Sequence, residues 1–180
     1  MQTGWVHTNG YDYYLGTDGV VQTGIQHIDG KTYYFGPLGP VQSGFTHVDG
    51  KPYYFDASHE SRNGWMKQEF NWYLLQPSGA LQTGDFTYKD KKFSFNQDGE
   101  MVKGWVTLES LVKKVYLEPD LRKALRAKRV NKGEVIEVTG KVGSWYEVNY
   151  QGEKGHVRIH DAIIFDQEAK SPDAHIPYKK

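Results

Sequence analysis

The sequence predicts an all-β fold: a β-hairpin solenoid of about five 20-residue repeats over residues 1–106, followed by a small β-barrel over residues 107–166. Three observations carry this. Glycine recurs at positions 4, 24, 44, 64, 84 and 104 without slippage. A ring follows nine positions after each of the first five, at Tyr13, Tyr33, Tyr53, Tyr73 and Phe93. After Trp105 the period stops and closely spaced alternating strands take over.

Each repeat has the grammar of a hairpin. A glycine followed by a large side chain (Trp5, Ile25, Phe45, Trp65, Trp105; Asp85 is the exception) opens a short strand. Asn9-Gly10, Asp29-Gly30 and Asp49-Gly50 then predict type I′ turns, whose two central residues both need positive φ. A second aromatic strand such as Tyr33-Tyr34-Phe35 returns, and Asp18-Gly19 or Asp98-Gly99 starts the loop to the next unit. A lone hairpin is marginal in water, so the rings are expected to pack against neighbouring repeats.

The composition agrees. Twenty glycines and 14% aromatic residues accompany few aliphatic ones, which disfavours a single large aliphatic core. The formal charge is zero, which excludes the basic excess that nucleic-acid binding requires. Residues 1–105 carry a net −3 and residues 106–180 a net +3, so the charge shifts where the texture does. With no cysteine there is neither a disulfide framework nor a thiolate metal site, and no apolar run reaches membrane length. Nucleophile elbow, phosphate loop and zinc helix are all missing, so this stretch is expected to be non-catalytic. His7, His27 and His47 share a register, but no second-ligand spacing accompanies them, and no metal is expected.

The pattern Gly-Trp, an aromatic triplet and Gly at fixed spacing resembles the choline-binding (cell-wall-binding) repeat family over about residues 1–105. The resemblance implies choline as ligand, on teichoic-acid phosphocholine, held between successive hairpins by ring faces. A quaternary ammonium has no hydrogen to donate, and each ring face contributes about 0.5–2 kcal/mol. The family's second Trp is replaced in four repeats, by Asp12, Thr32, Pro52 and Lys92. The repeat from Gly64 alone keeps both indoles, so the first expected cage is Trp65 and Trp72 with Phe93 and Met66. The second is Trp5 with Tyr13 or Tyr14 and Tyr33. The rings can instead be solenoid core: that reading is preferred for Tyr13, Tyr33 and Tyr53, while for Trp65 and Trp72 both readings stand.

In the second region, residues 132–138, 143–150 and 151–157 alternate as half-buried strands joined by glycine turns. Lys132-Gly133, Trp145-Tyr146-Glu147-Val148, Tyr150, Gly152 and Gly155-His156-Val157 resemble a bacterial SH3-like domain, with Trp145, Tyr146 and Tyr150 as its expected surface. Arg122, Lys123, Arg126, Lys128, Arg129 and Lys132 form a basic cluster suited to a solvated face or to phosphates. Residues 167–180 read as a linker toward a further C-terminal module, and Met1 runs straight into the end of a repeat, as in a piece of a longer chain. Repeats, SH3-like module and continuing tail, in that order, resemble streptococcal cell-separating endo-β-N-acetylglucosaminidases. That implies a monomeric, secreted, wall-attached anchor for a peptidoglycan hydrolase, with peptidoglycan as a second partner and no membrane insertion. Loss of the second Trp leaves a rigid spacer, or a glucan- or host-glycan-binding module, as the alternative.

Overall fold

The structure, a computed structural model, describes residues 1–108, 114–117, 119, 127–131 and 133–165. The expected linker over 167–180, and Arg122, Lys123, Arg126 and Lys132 of the basic cluster, lie outside the described residues. All regular structure described is β apart from one 3-10 turn at Ile159–Asp161. The chain forms two compact units: Met1–Trp65 with Leu74–Leu81, and Met66–Tyr73 with the chain from Gln82 onward.

The first unit is built from hairpins β1–β2 (Gly4–Thr8, Tyr11–Leu15), β3–β4 (Lys31–Phe35 returning on Gly24–Ile28) and β6–β7 (Gly44–Val48, Lys51–Phe55), with the short β5 (Val41–Gln42) beside β4. The predicted turns form as expected: Asn9-Gly10, Asp29-Gly30 and Asp49-Gly50 all have both residues at positive φ. Pairing places the large side chain after each opening glycine directly opposite a tyrosine of the returning strand, as in Trp5↔Tyr14, Ile25↔Tyr34 and Phe45↔Tyr54.

Neighbouring repeats are stitched by a contact 29 residues long. The Ser61 amide donates to the Thr32 carbonyl (2.9 Å), the Leu81 amide to the Pro52 carbonyl (2.8 Å), and the Lys31 ammonium pairs with Glu60 at 2.6 Å. Such a bond reaches from a loop to the returning strand of the preceding hairpin, satisfying groups that an isolated hairpin leaves to water. Phe35, Phe55 and Leu75, which share one register of the repeat, are all buried.

The loop glycine of each repeat sits at positive φ: Gly19 (76°), Gly39 (96°), Gly79 (83°) and Gly99 (78°). The third repeat places His59 there at φ 62°, a conformation that costs a residue with a Cβ about 1 kcal/mol or more. Asp56 supports the strained loop, its carboxylate accepting from the Ser58 (2.8 Å) and Glu60 (3.1 Å) amides.

β8 (Gly64–Gln68) and β9 (Asn71–Leu75) form the next hairpin, inside which the division between the units falls. The second unit contains a nine-stranded sheet. Its strands are β10 (Gly84–Tyr88), β11 (Lys91–Phe95), β12 (Met101–Leu108), β13 (Lys114–Tyr116), β14 (Ala127–Arg129), β15 (Ile136–Val142), β16 (Trp145–Tyr150), β17 (Glu153–Arg158) and β18 (Ala162–Ile164). The order is β10-β11-β12-β15-β16-β17-β13-β14, with β18 also on β12.

A closed barrel was the expectation for residues 107–166, and it is corrected here: among the described residues the sheet is open. The reason lies in β12, which pairs with β11 of the last repeat as well as with β15 and β18. The sheet therefore runs on into the repeat hairpin. The sixth periodic glycine has also changed its role. Gly4, Gly24, Gly44, Gly64 and Gly84 open their strands at positive φ, whereas Gly104 lies on β12, where a Cβ would come within 2.3 Å of Phe93 Cδ1. Close approach, not a turn, requires glycine there.

Candidate functional site

In the first unit, Trp5 of β1 meets three rings. Its centroid lies 5.4 Å from Tyr14 and 5.1 Å from Tyr33, at interplanar angles of 74° and 73°, and 5.6 Å from Phe35. Trp5 remains 44% exposed, while Tyr33 and Phe35 are buried in the cluster with Ile28 and Val41, against which Tyr14 packs. The arrangement is an open corner: near-perpendicular ring walls on an accessible indole, with a phenyl floor. Burial, and then the Glu60 carboxylate, push the Tyr33 hydroxyl pKa upward.

The choice between Tyr13 and Tyr14 is decided by alternation. Adjacent residues of a strand face opposite ways. Tyr14 joins Trp5, whereas Tyr13 opposes Val6 and lies beside Gly39, where a Cβ would come within 3.2 Å of its ring. Phe35 was not foreseen as part of the site. Its signal was available: positions 15, 35, 55, 75 and 95 are Leu or Phe at the same 20-residue period.

The residues of the first expected cage are placed differently. Trp65, Met66, Trp72 and Phe93 are all buried. In the second unit the Trp72 indole N–H donates to the Ala162 carbonyl at 2.9 Å. The Lys67 ammonium lies 5.6 Å from the Trp72 ring centroid and donates to the His160 and Ala162 carbonyls. Phe93 stacks on Phe165 at 6.4 Å. Trp72 and Phe93 thus meet the C-terminal segment of the second unit, where the Asn71, Glu100 and Lys141 side chains also join one polar network, with Glu100 2.8 Å from both partners. Beside them Tyr73 is pushed up to about pKa 12 by burial, with the Asn71 side chain opposing.

The expected SH3-like surface divides along β16. Tyr146 and Tyr150 are buried, because residues 146, 148 and 150 alternate inward; only Trp145 retains exposure, edge-on to Tyr116 at 5.4 Å. Burial drives the Tyr146 hydroxyl pKa far above the usual phenol range. Tyr150 donates to Glu134 at 3.0 Å and accepts from the Gln151 side chain at 3.2 Å.

His7 and His27 are engaged locally, with Asp12 (2.6 Å) and Thr32 (2.9 Å) opposite them on the paired strands. Among the described residues no group of three or more His, Cys, Asp or Glu side chains is placed to hold a metal. None of the described helical segments is long and apolar enough to cross a membrane.

Comparison with known families matches residues 22–62 to the choline-binding repeat and residues 3–21 to a cell wall binding repeat. Among solved structures the chain is similar to choline binding protein F from Streptococcus pneumoniae, crystallised in the presence of a peptidoglycan analogue. The two share 32% identity over 66% of this chain and 39% of that one, with a TM-score of 0.51. It is also similar to CbpJ from Streptococcus pneumoniae TIGR4, at 25% identity over 85% of this chain and 48% of that one, with a TM-score of 0.53. The chain therefore spans less than half the length of each. A comparison with curated proteins finds no match.

Proposed function

We propose, from the premise that residues 3–62 are choline-binding, cell-wall-binding repeats, that the Trp5–Tyr14–Tyr33 corner holds the phosphocholine of wall teichoic acid. Repeats of this kind imply attachment to the cell wall. The observation that carries the assignment to Trp5 is its combination of two perpendicular ring walls at 5.1 and 5.4 Å with an indole still 44% exposed. A trimethylammonium group can rest against several ring faces there at once, and the contact requires no hydrogen bond from the ligand. Several such weak contacts along a repeating polymer act through effective concentration, so modest affinity at one site suffices.

On this reading, residues 1–106 are the anchor, 107–166 an SH3-like module and 167–180 a linker, of a monomeric secreted protein. The chain would be the non-catalytic region of a peptidoglycan hydrolase, an endo-β-N-acetylglucosaminidase by its order of modules. Peptidoglycan is the second partner proposed; choline binding protein F, crystallised in the presence of a tetrasaccharide-pentapeptide, supports a wall setting for such repeats. Trp145, half-buried on β16, is the residue of the expected SH3-like surface that stays accessible for that contact. The spacer reading is favoured by one observation, the burial of Trp65 and Trp72.

Retention on phosphocholine-bearing cell walls tests the two. The anchor reading expects binding that free choline releases and that Trp5→Ala weakens by about tenfold or more. Retention that is indifferent to choline and to Trp5→Ala would leave the spacer as the better account.

A further inference from the structure

The sixth periodic glycine and its tryptophan, Gly104-Trp105, lie on β12 in the second unit, and the indole already has a cation on it. The Lys91 ammonium stands 3.9 Å from the Trp105 ring centroid and 5.6 Å from that of Phe165. Both distances lie within the range of about 6 Å over which a ring quadrupole attracts a cation, and the first is at contact. Phe165, just beyond β18, is held in place by its amide, which donates to the Trp105 carbonyl at 3.2 Å, so the two rings are fixed by the pairing of β12 with β18. Elsewhere in the repeat array the position of Lys91 is used otherwise. Lys31 and Asn71, 60 and 20 residues earlier, each hold a glutamate 29 residues further on. Beside Trp105 a groove of about 530 Å3, lined also by Lys103, Glu137 and Thr139, opens to the ring.

We infer that Trp105 and Phe165 form a latent quaternary-ammonium site whose cation position is filled by the chain's own Lys91. This rests on the reading that the repeats bind choline, and it extends that reading to a ring outside the assigned cage. Lys91 is then the residue that decides whether an external cation is accepted. A tethered ammonium competes at a very high effective concentration, so free choline must displace it before touching the indole. Lysine also pairs less favourably with a ring than a quaternary ammonium does, because its strongly hydrated head loses water on contact. Occupancy by Lys91 therefore keeps the site closed at modest choline and yields to a more weakly hydrated cation once the tether is removed.

The test follows the indole N–H signals of Trp105 and Trp5 by nuclear magnetic resonance in the full chain, assigned by Trp105→Phe and Trp5→Phe, during titration with choline chloride against a sodium chloride control. In Lys91→Ala, the Trp105 signal is expected to shift saturably at a choline concentration at least about tenfold below that needed in the unmodified chain. Equilibrium dialysis is expected to gain one bound equivalent. Lys91→Arg, which keeps a cation on the ring, is expected to behave as the unmodified chain. A Trp105 signal that stays still in Lys91→Ala, or that responds equally in all three proteins, overturns the inference. So does Lys91→Arg opening the site as fully as Lys91→Ala. The Trp5 signal separates this from the anchor reading: Trp5 silent with Trp105 responsive in Lys91→Ala refutes the Trp5 cage alone, and the converse refutes the latent site alone.

Discussion

Trp5 in the first unit and Trp72 in the second come from the same repeating grammar, yet the fold uses them in opposite ways. Trp5 keeps an open face against Tyr14 and Tyr33, and nothing of its own chain with a positive charge is found over it among the described residues. Trp72 is 4% exposed, gives its N–H to Ala162, and has Lys67 near its ring. The repeat richest in tryptophan is thus the one whose ring is drawn into packing. What makes a cage is less the number of indoles than what the surrounding chain does with their faces.

Four experiments break or sharpen that contrast, beginning with the largest effect. Trp72→Ala removes a buried indole and its hydrogen bond, and is expected to cost about 3–5 kcal/mol in denaturant unfolding. Choline affinity at Trp5 should be unchanged once the protein is folded. A variant that keeps its stability but loses choline would reverse the roles of the two rings.

Trp5→Ala is expected to do the converse. Its half-exposed indole contributes little packing, so stability should shift by about 1 kcal/mol or less, while calorimetric choline affinity falls by about tenfold or more. A large drop in melting temperature with intact binding would make Trp5 a core residue.

Alkaline pH should weaken the second unit. Tyr73 has its pKa raised to about 12 in the folded protein, against 10.0 when unpacked. A group whose folded pKa is raised contributes stability that is complete below the unfolded value and lost as pH rises through the folded one. Stability should therefore decline between pH 10 and 12, and Tyr73→Phe should remove part of that decline. An unchanged slope in Tyr73→Phe, measured by denaturant midpoints across this range, would place the alkaline lability elsewhere.

The smallest effect concerns the loop register. Replacing His59 by glycine, the residue at the same position in the other repeats, relieves a left-handed φ of 62° and is expected to stabilise by about 1 kcal/mol. The gain should appear as a higher denaturant midpoint with no change in choline affinity. A loss instead would show that the half-buried His59 ring, whose Nδ1 is shielded from solvent, holds the loop more than its backbone strains it.

Much of the fold was legible in the residues. The 20-residue glycine period, the Asn-Gly and Asp-Gly turns and the strand pairs all follow from local chemistry, because a turn that needs two positive φ angles leaves few residue choices. The nearness of Trp5 to Tyr33 was readable, since a fixed period carries partners from one hairpin to the next, whereas the choice between Tyr13 and Tyr14 needed the strand pairing. The fate of Trp72 was not. It depends on Ala162, 90 residues away, and on a strand outside the repeat pattern. The inward turn of Tyr146 and Tyr150 is set by which face of β16 the core covers, and a stretch of alternating side chains does not name that face. Lys91 over Trp105 shows the same limit: the lysine reads as a polar strand residue until β12 brings the indole beside it.

The central claim is that choline enters at Trp5 and not at Trp72. Resolving the indole N–H signals of both in one choline titration tests it most directly. The account predicts a saturable shift of Trp5, accompanied by the rings of Tyr14 and Tyr33, with Trp72 still throughout. A saturable shift of Trp72 with Trp5 unmoved would contradict it.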